Sequence, residues 1–234
     1  MNAATLIALQ EIDSALDAIA NKRPRLPEVA AHQSATTTLN LLRKNIAAAE
    51  GRVAAAQAAI EAAEKASADL TTKRTRLESQ LKTVIAPREA EALMHEIATI
   101  NAQRGGLDDD EFAALDGLAD GEAELGARQG EIPGCELAFA DATAALNNAT
   151  AALDAEANAL AARREAAVTQ LTAEELTRYQ QVRIQFGGVG VARLEGSHCS
   201  GCHMDLSPAE VDDVKSTAAG EASECPQCGR ILVR

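Results

Sequence analysis

Four of the five cysteines stand as two pairs near the end of the 234-residue chain, Cys199-Ser-Gly-Cys202 and Cys225-Pro-Gln-Cys228-Gly229. Two residues between cysteines let both sulfurs of a tight turn point at one ion, and Gly229 permits the backbone path as the turn closes. Two such knuckles supply four thiolates in a tetrahedron, a geometry that zinc accepts readily. Disulfides or idle thiols are one competing reading, and iron in the same tetrahedron is another. The pairing of the cysteines suits a metal site in a reducing cytosol better than a disulfide framework.

The spacer between the pairs is 22 residues, slightly longer than in most such sites. Ser207-Pro208-Ala209-Glu210 is a good helix start within it, and Ile231-Leu232-Val233 supplies a closing strand. The expected product is a zinc ribbon with one structural Zn2+ on Cys199, Cys202, Cys225 and Cys228. Four cysteines saturate the ion, so no position is left for an activated water. His198 and His203 flank the first knuckle, where each could replace a cysteine or touch a partner; exposed knuckle-side histidines are the simpler reading. Cys135 stands alone beside an expected helix break at Pro133-Gly134, and as a small buried or half-buried residue it needs no function. The sequence carries no nucleophile motif and no phosphate-cradling glycine loop. It is therefore expected not to be an enzyme, with no catalytic residues.

A ribbon this small needs a support, and the long stretch Leu39–Val84 provides one. Stepping by threes and fours gives Leu39, Leu42, Ile46, Ala49, Val53, Ala56, Ile60, Ala63, Ser67, Leu70, Arg74, Leu77, Leu81 and Val84, all apolar except Ser67 and Arg74. A narrow seam held this long is buried by knobs-into-holes packing on a second helix. Composition agrees: hydrophobic residues reach 47% but aromatics only 2%, which fits long Ala-rich helices better than a globular core. The net charge of −13 argues against broad nonspecific nucleic-acid binding.

The segment from Leu6 to Ile19 predicts a first helix, ended by Pro24 and Pro27. It reads as amphipathic, not as a signal peptide, and no apolar run approaches the roughly 18 residues that would span a bilayer. Pro87, with Glu89 and Glu91, suits the start of a new helix. Leu93, Ile97, Ile100, Leu107, Leu115, Leu118 and Leu125 give that helix its apolar face. Gly130-Glu131-Ile132-Pro133-Gly134 predicts an interruption, after which Phe139, Leu146, Leu153 and Leu160 resume the pattern. Residues 21 to 88 hold twelve Lys/Arg and six Asp/Glu, whereas 89 to 172 hold four and seventeen. Arms of opposite sign attract along their flanks, which favours an intramolecular antiparallel hairpin over a parallel homodimer.

The expected fold is mainly α. A long antiparallel coiled-coil helical hairpin occupies 1–172, with its tip near 84–88. A short helix, capped by Thr172, and the C4 zinc ribbon occupy 173–234. With its run from Glu89 to Ile97, its run from Tyr179 to Arg183 and its two cysteine pairs, the chain resembles the bacterial family that joins a coiled coil to a C4-type zinc ribbon, often described as nucleic-acid-binding proteins. The residues that carry the likeness are Glu89-Ala-Glu-Ala-Leu93-Met-His-Glu96-Ile97, Tyr179-Gln-Gln-Val-Arg183, Cys199-Ser-Gly-Cys202 and Cys225-Pro-Gln-Cys228-Gly229-Arg230-Ile231-Leu232. The resemblance implies a chaperone-like adaptor. Members in flagellated or type III secreting bacteria serve an alternative sigma factor and export components, and one is linked to flagellin messenger RNA.

The expected function is thus a cytoplasmic adaptor that presents an arm and a ribbon to protein partners, as a monomer or weak dimer. The alternative is RNA or DNA binding by the ribbon and the basic flank near the tip, where Lys73, Arg74, Arg76, Lys82 and Arg88 cluster. Against it, 173–234 holds six Lys/Arg and nine Asp/Glu and lacks an aromatic stacking platform.

Overall fold

Two helices carry most of the chain: α2, Pro27–Leu81 (55 residues), and α3, Pro87–Val168 (82 residues). The structure, a computed structural model, describes residues 2–218 and 220–234. Before the long helices come α1, Ala3–Lys22, and a single 3-10 turn at Arg23–Arg25 where the prolines were expected to break the chain. After them come α4 (Ala173–Gln185), β1 (Val191–Glu195), β2 (His198–Cys199), α5 (Pro208–Ser216), β3 (Ser223–Glu224) and β4 (Ile231–Val233). The fold is mainly α, with a coiled-coil hairpin and a small C-terminal ribbon.

The chain packs as two units, residues 33–141 and residues 1–32 with 142–234. The limits of these packing units fall inside the two long helices, and 173–234 shares its core with α1 and the end of α3.

In the 33–141 unit, every position of the Leu39-to-Val84 series is buried or half-buried. α3 returns with the same spacing, from Ala90 and Leu93 through Ile100 and Gly121 to Cys135 and Phe139, all buried or half-buried. Bases on α2 meet acids on α3 in antiparallel order: Lys73–Glu96 (2.9 Å), Arg52–Glu124 (2.5 Å) and Arg43–Glu136 (3.0 Å). Each exposed pair adds only about 0.2–1 kcal/mol, so their value lies in fixing register. The two polar seam positions find polar partners. Arg104 Nε donates to Ser67 Oγ (3.5 Å), and Arg74 donates to Asn101 Oδ1 (3.4 Å). At the small-residue level of the seam, a Cβ on Gly121 would lie 3.1 Å from Val53 Cγ2.

The expected interruption at 130–134 is absent: α3 runs unbroken through Pro133. The seam overrides the local signal. Ile132 and Cys135 keep the three-and-four spacing on the covered side, while Pro133 is exposed. Its ring and missing N–H thus fall on the solvent side, where a helix tolerates bending. Leu115, expected on the apolar face, is exposed instead.

In the other unit, a four-stranded sheet of order β2-β1-β4-β3 stands between two small cores. β1 pairs with β4 in parallel, Val191 opposite Ile231 and Ala192 opposite Leu232, and the two outer pairings are antiparallel. The period-two alternation sorts the side chains. Val191, Ile231 and Val233 join Leu6, Leu9, Tyr179 and Val182, whereas Ala192 and Leu232 join Cys199, Leu206, Val211 and Cys225. A third cluster unites Ile12 and Ile19 of α1 with Leu153 and Leu160 of α3. Thr172 and Ser207 both close capping boxes, with Glu175 and Glu210, that fix the starts of α4 and α5.

Candidate metal centre

The two knuckles fold by the same local rule. The residue after each second cysteine donates its N–H to the carbonyl of the first: His203 to Cys199 (2.9 Å) and Gly229 to Cys225 (2.8 Å). Each first cysteine donates in turn to the residue one further on, Cys199 to Met204 (3.1 Å) and Cys225 to Arg230 (2.8 Å). Closing the turn this way puts the post-cysteine residue in the left-handed region, with φ of 59° at His203 and 75° at Gly229. Glycine takes that conformation freely and histidine does so under strain.

These turns bring the four sulfurs of Cys199, Cys202, Cys225 and Cys228 within 4.8 Å of one another. Cys202 Sγ and Cys225 Sγ are 4.0 Å apart. A zinc ion about 2.3 Å from each thiolate needs sulfurs about 3.8 Å apart, so the donor set fits the ion with little adjustment. The site is a C4-type zinc ribbon whose cysteines lie close enough to hold one structural zinc. When bound, the ion joins two knuckles that belong to opposite ends of the ribbon segment.

Burial governs the thiols. It pushes Cys225 up to about 12 and also raises Cys202. Cys228 is lowered: burial opposes this, but hydrogen bonds from the Arg230 backbone and from neighbouring groups outweigh it. At least two thiols therefore stay protonated through neutral pH until metal displaces their protons. Loading releases those protons, so acid must weaken it. We expect the apparent zinc affinity to fall by at least about 100-fold per unit between pH 8 and pH 6, measured by competition with a chromogenic chelator.

Gly201 of the first knuckle packs closely against Ala192 of β1 and the Arg230 side chain. A Cβ there would stand 2.8 Å from Ala192 Cβ and 2.8 Å from Arg230 Cδ. The Ala192 contact cannot yield cheaply, because that residue is buried in the ribbon core. Gly201→Ala is expected to cost about 1–3 kcal/mol, seen as earlier zinc loss on heating. A variant as heat-resistant as the parent would contradict the close packing.

His198 and His203 lie with ring centroids 5.7 Å apart, and His198 Nδ1 is 3.3 Å from Asp205 Oδ1. Neither enters the sulfur cluster. Cys135 lies in the α3 seam of the other unit, away from any interruption.

Sequence reasoning missed a second constellation, built on α1. Asp13 is buried, its side chain only 4% exposed. It accepts from Tyr179 Oη (2.8 Å) and Arg164 Nε (2.6 Å), and Arg183 Nε approaches to 3.6 Å. Arg183 also pairs with Asp17. Burial, reinforced by Asp13, raises the Tyr179 phenol well above its ordinary range, so it remains a donor. One turn earlier, buried Gln10 uses its whole amide. Its oxygen accepts from the backbone N–H of Gly190 (2.6 Å) and Val191 (3.1 Å), and its nitrogen donates to Gly188 O (2.8 Å) and Ser14 Oγ (2.9 Å). Gln10 thereby fixes the entry to β1. The signal was present, since Gln10 and Asp13 interrupt the covered stripe of Leu6, Leu9 and Ile12.

Comparison with known proteins agrees with this architecture. The family model described as CT398-like coiled coil hairpin domain matches residues 9–187, and that of the C4-type zinc ribbon domain matches 198–232. An uncharacterised protein of Mycobacterium tuberculosis, found in two strains, is 26% identical over 245 residues, covering 98% of this chain and 94% of its own. Among solved structures, CT398 from Chlamydia trachomatis superposes with a TM-score of 0.85 at 19% identity over 99% of this chain and 96% of its own. A protein from Mycobacterium smegmatis gives 0.78 at 21% identity over the full length of both chains. The HP0958 protein of Helicobacter pylori gives 0.61 at 16% identity over 98% of this chain and 95% of its own.

Proposed function

The chain belongs to the family of CT398-like coiled-coil hairpin proteins, here with a C4-type zinc ribbon, and on that premise we propose that it is a non-enzymatic, chaperone-like adaptor for protein partners in the cytoplasm. The observation that carries this reading is where the large apolar side chains stay uncovered. Ile184 at the end of α4, Val189 after it and Met204 on the first knuckle are exposed on the ribbon-bearing unit, and Ile85 and Phe112 on the hairpin unit. Apolar groups held out on rigid elements are what a binding surface needs. The charged groups that look chemical on paper are spent on structure. Asp13, Arg164 and Tyr179 hold α1, and Glu175 and Glu210 cap helices. A zinc ion held by four thiolates has no ligand to exchange, which suits a structural role.

Affinity capture from native cytoplasm tests the proposal, using the zinc-loaded chain and its Ile184→Glu variant. Reproducible retention of a protein by the parent, lost or weakened in the variant, is the expected result. A capture fraction that holds only nucleic acid, released steeply by added salt, would favour RNA or DNA binding and overturn it.

A further inference from the structure

We propose that the sulfur cluster is also an oxidative modification site for a small peroxide, and that its product, a Cys202–Cys225 disulfide, takes over from zinc and keeps the ribbon folded. Metal and disulfide are then two interchangeable clasps on one segment, the first for reducing and the second for oxidising conditions.

Access differs within the cluster. Cys199 and Cys225 are buried, at 0% and 1% exposure, whereas Cys202 and Cys228 are half-buried. A peroxide therefore reaches the second cysteine of a knuckle before the first. Cys202 Sγ stands 4.0 Å from Cys225 Sγ, on the other knuckle, and all four sulfurs lie within 4.8 Å of one another. An oxidised Cys202 thus has a resolving sulfur beside it, with about 2 Å to close for a bond. Cys135 is outside the cluster.

One peroxide balances the step. A metal-bound thiol is held as the thiolate. The Cys202 thiolate attacks one peroxide oxygen, the O–O bond breaks and hydroxide leaves, giving a sulfenic acid. The Cys225 thiolate then attacks that sulfur, the S–O bond breaks and a second hydroxide leaves. Two electrons pass from the two sulfurs to the peroxide. Cys199 and Cys228 remain as thiolates, too few to complete a tetrahedron, and zinc is released.

What each possible bond holds together decides which one accumulates. Neighbouring sulfurs exchange disulfides, so the most stable product gathers. A Cys199–Cys202 or Cys225–Cys228 bond spans two intervening residues, constrains almost nothing and leaves the knuckles untied. A Cys202–Cys225 bond joins positions 23 apart and closes the loop that contains α5. It holds Leu206, Val211 and Val214 against Ala192 and Leu232. The parallel pairing of β1 with β4 is kept, and with it the cover over Leu6 and Leu9 of α1.

One equivalent of hydrogen peroxide, added to the zinc-loaded full chain beside a chromogenic chelator, tests this. The expected result is release of the zinc, a Cys202–Cys225 cross-link in the non-reducing peptide map, and hydrogen exchange across 190–234 within about twofold of the loaded chain. Stripping zinc without oxidant should instead accelerate that exchange at least about tenfold. Two variants that each lack a zinc ligand separate the disulfide from the metal. Oxidised Cys228→Ser should regain protection across the ribbon. Oxidised Cys225→Ser should not, although Cys199 and Cys202 can still pair in it. Zinc retained against the peroxide, a map showing only bonds within knuckles, or a cross-linked ribbon that exchanges as fast as the stripped chain overturns the proposal.

Discussion

Cys225→Ser is expected to abolish zinc retention and to unfold the ribbon, with consequences that reach α1. Structural zinc contributes about 10–16 kcal/mol to folding in small finger domains, as much as the whole stability of an ordinary domain. The ribbon core is small: Ala192, Leu206, Val211, Val214 and Leu232, with the cysteines themselves. Without the ion, those side chains do not offset the chain entropy of some forty residues. The effect spreads because β1 and β4 are two-faced, giving Val191, Ile231 and Val233 to the core that holds Leu6 and Leu9 of α1. Hydrogen exchange should accelerate across 190–234 and, to a lesser degree, across the covered face of α1. Cys135→Ser, outside the sulfur cluster, should leave metal content unchanged. One equivalent of tightly held zinc in Cys225→Ser would sink this assignment of ligands.

Asp13→Ala should produce the largest loss of stability among substitutions away from the metal. It removes the acceptor shared by Tyr179, Arg164 and Arg183 and leaves their donors facing an emptied, buried position. Removing one partner from a buried ionic cluster costs about 3–5 kcal/mol. Arg164 and Arg183 retain some contact with water, at 34% and 25% side-chain exposure, so the lower end, about 3 kcal/mol, is expected. Asp13→Asn, which keeps an acceptor for the phenol but loses the charge, should cost about 1–2 kcal/mol. The readout is built in, because Tyr179 is the only tyrosine and the chain has no tryptophan. Urea titration followed by intrinsic fluorescence therefore reports on this unit alone. A midpoint unmoved in Asp13→Ala would show that the cluster contributes nothing net.

What was legible in the sequence was what depends on neighbours along the chain. The knuckles, the helix starts at Thr172 and at Ser207-Pro208 and the seam of α2 each follow from spacing over a few residues or turns, and each stands where spacing put it. Pro133 misled because a local breaker was weighed without the packing that opposes it. The spacing from Leu125 through Arg128, Ile132, Cys135 and Phe139 was already unbroken, and it outweighed the proline and its flanking glycines. The place of α1 was hidden for a different reason. Its amphipathic pattern fits either a stretch of coiled coil or a helix against a sheet. The partners that decide between them lie more than 150 residues away, at Arg164, Tyr179 and Gly190. Period alone cannot name a partner, but a glutamine and an aspartate inside an apolar stripe announce that polar ones are needed.

That separation has a consequence for how the protein is made. A ribosome adds residues at about 5–20 per second, so α1 leaves the tunnel roughly ten seconds or more before Arg164, Tyr179, Val191 and Ile231 exist to cover it. Of the elements described here, α1 is made before the others and is among the last to be seated. For that interval its leucines are bare, and truncated chains stalled before β4 should be stickier and more readily cleaved within residues 3–22 than the finished molecule.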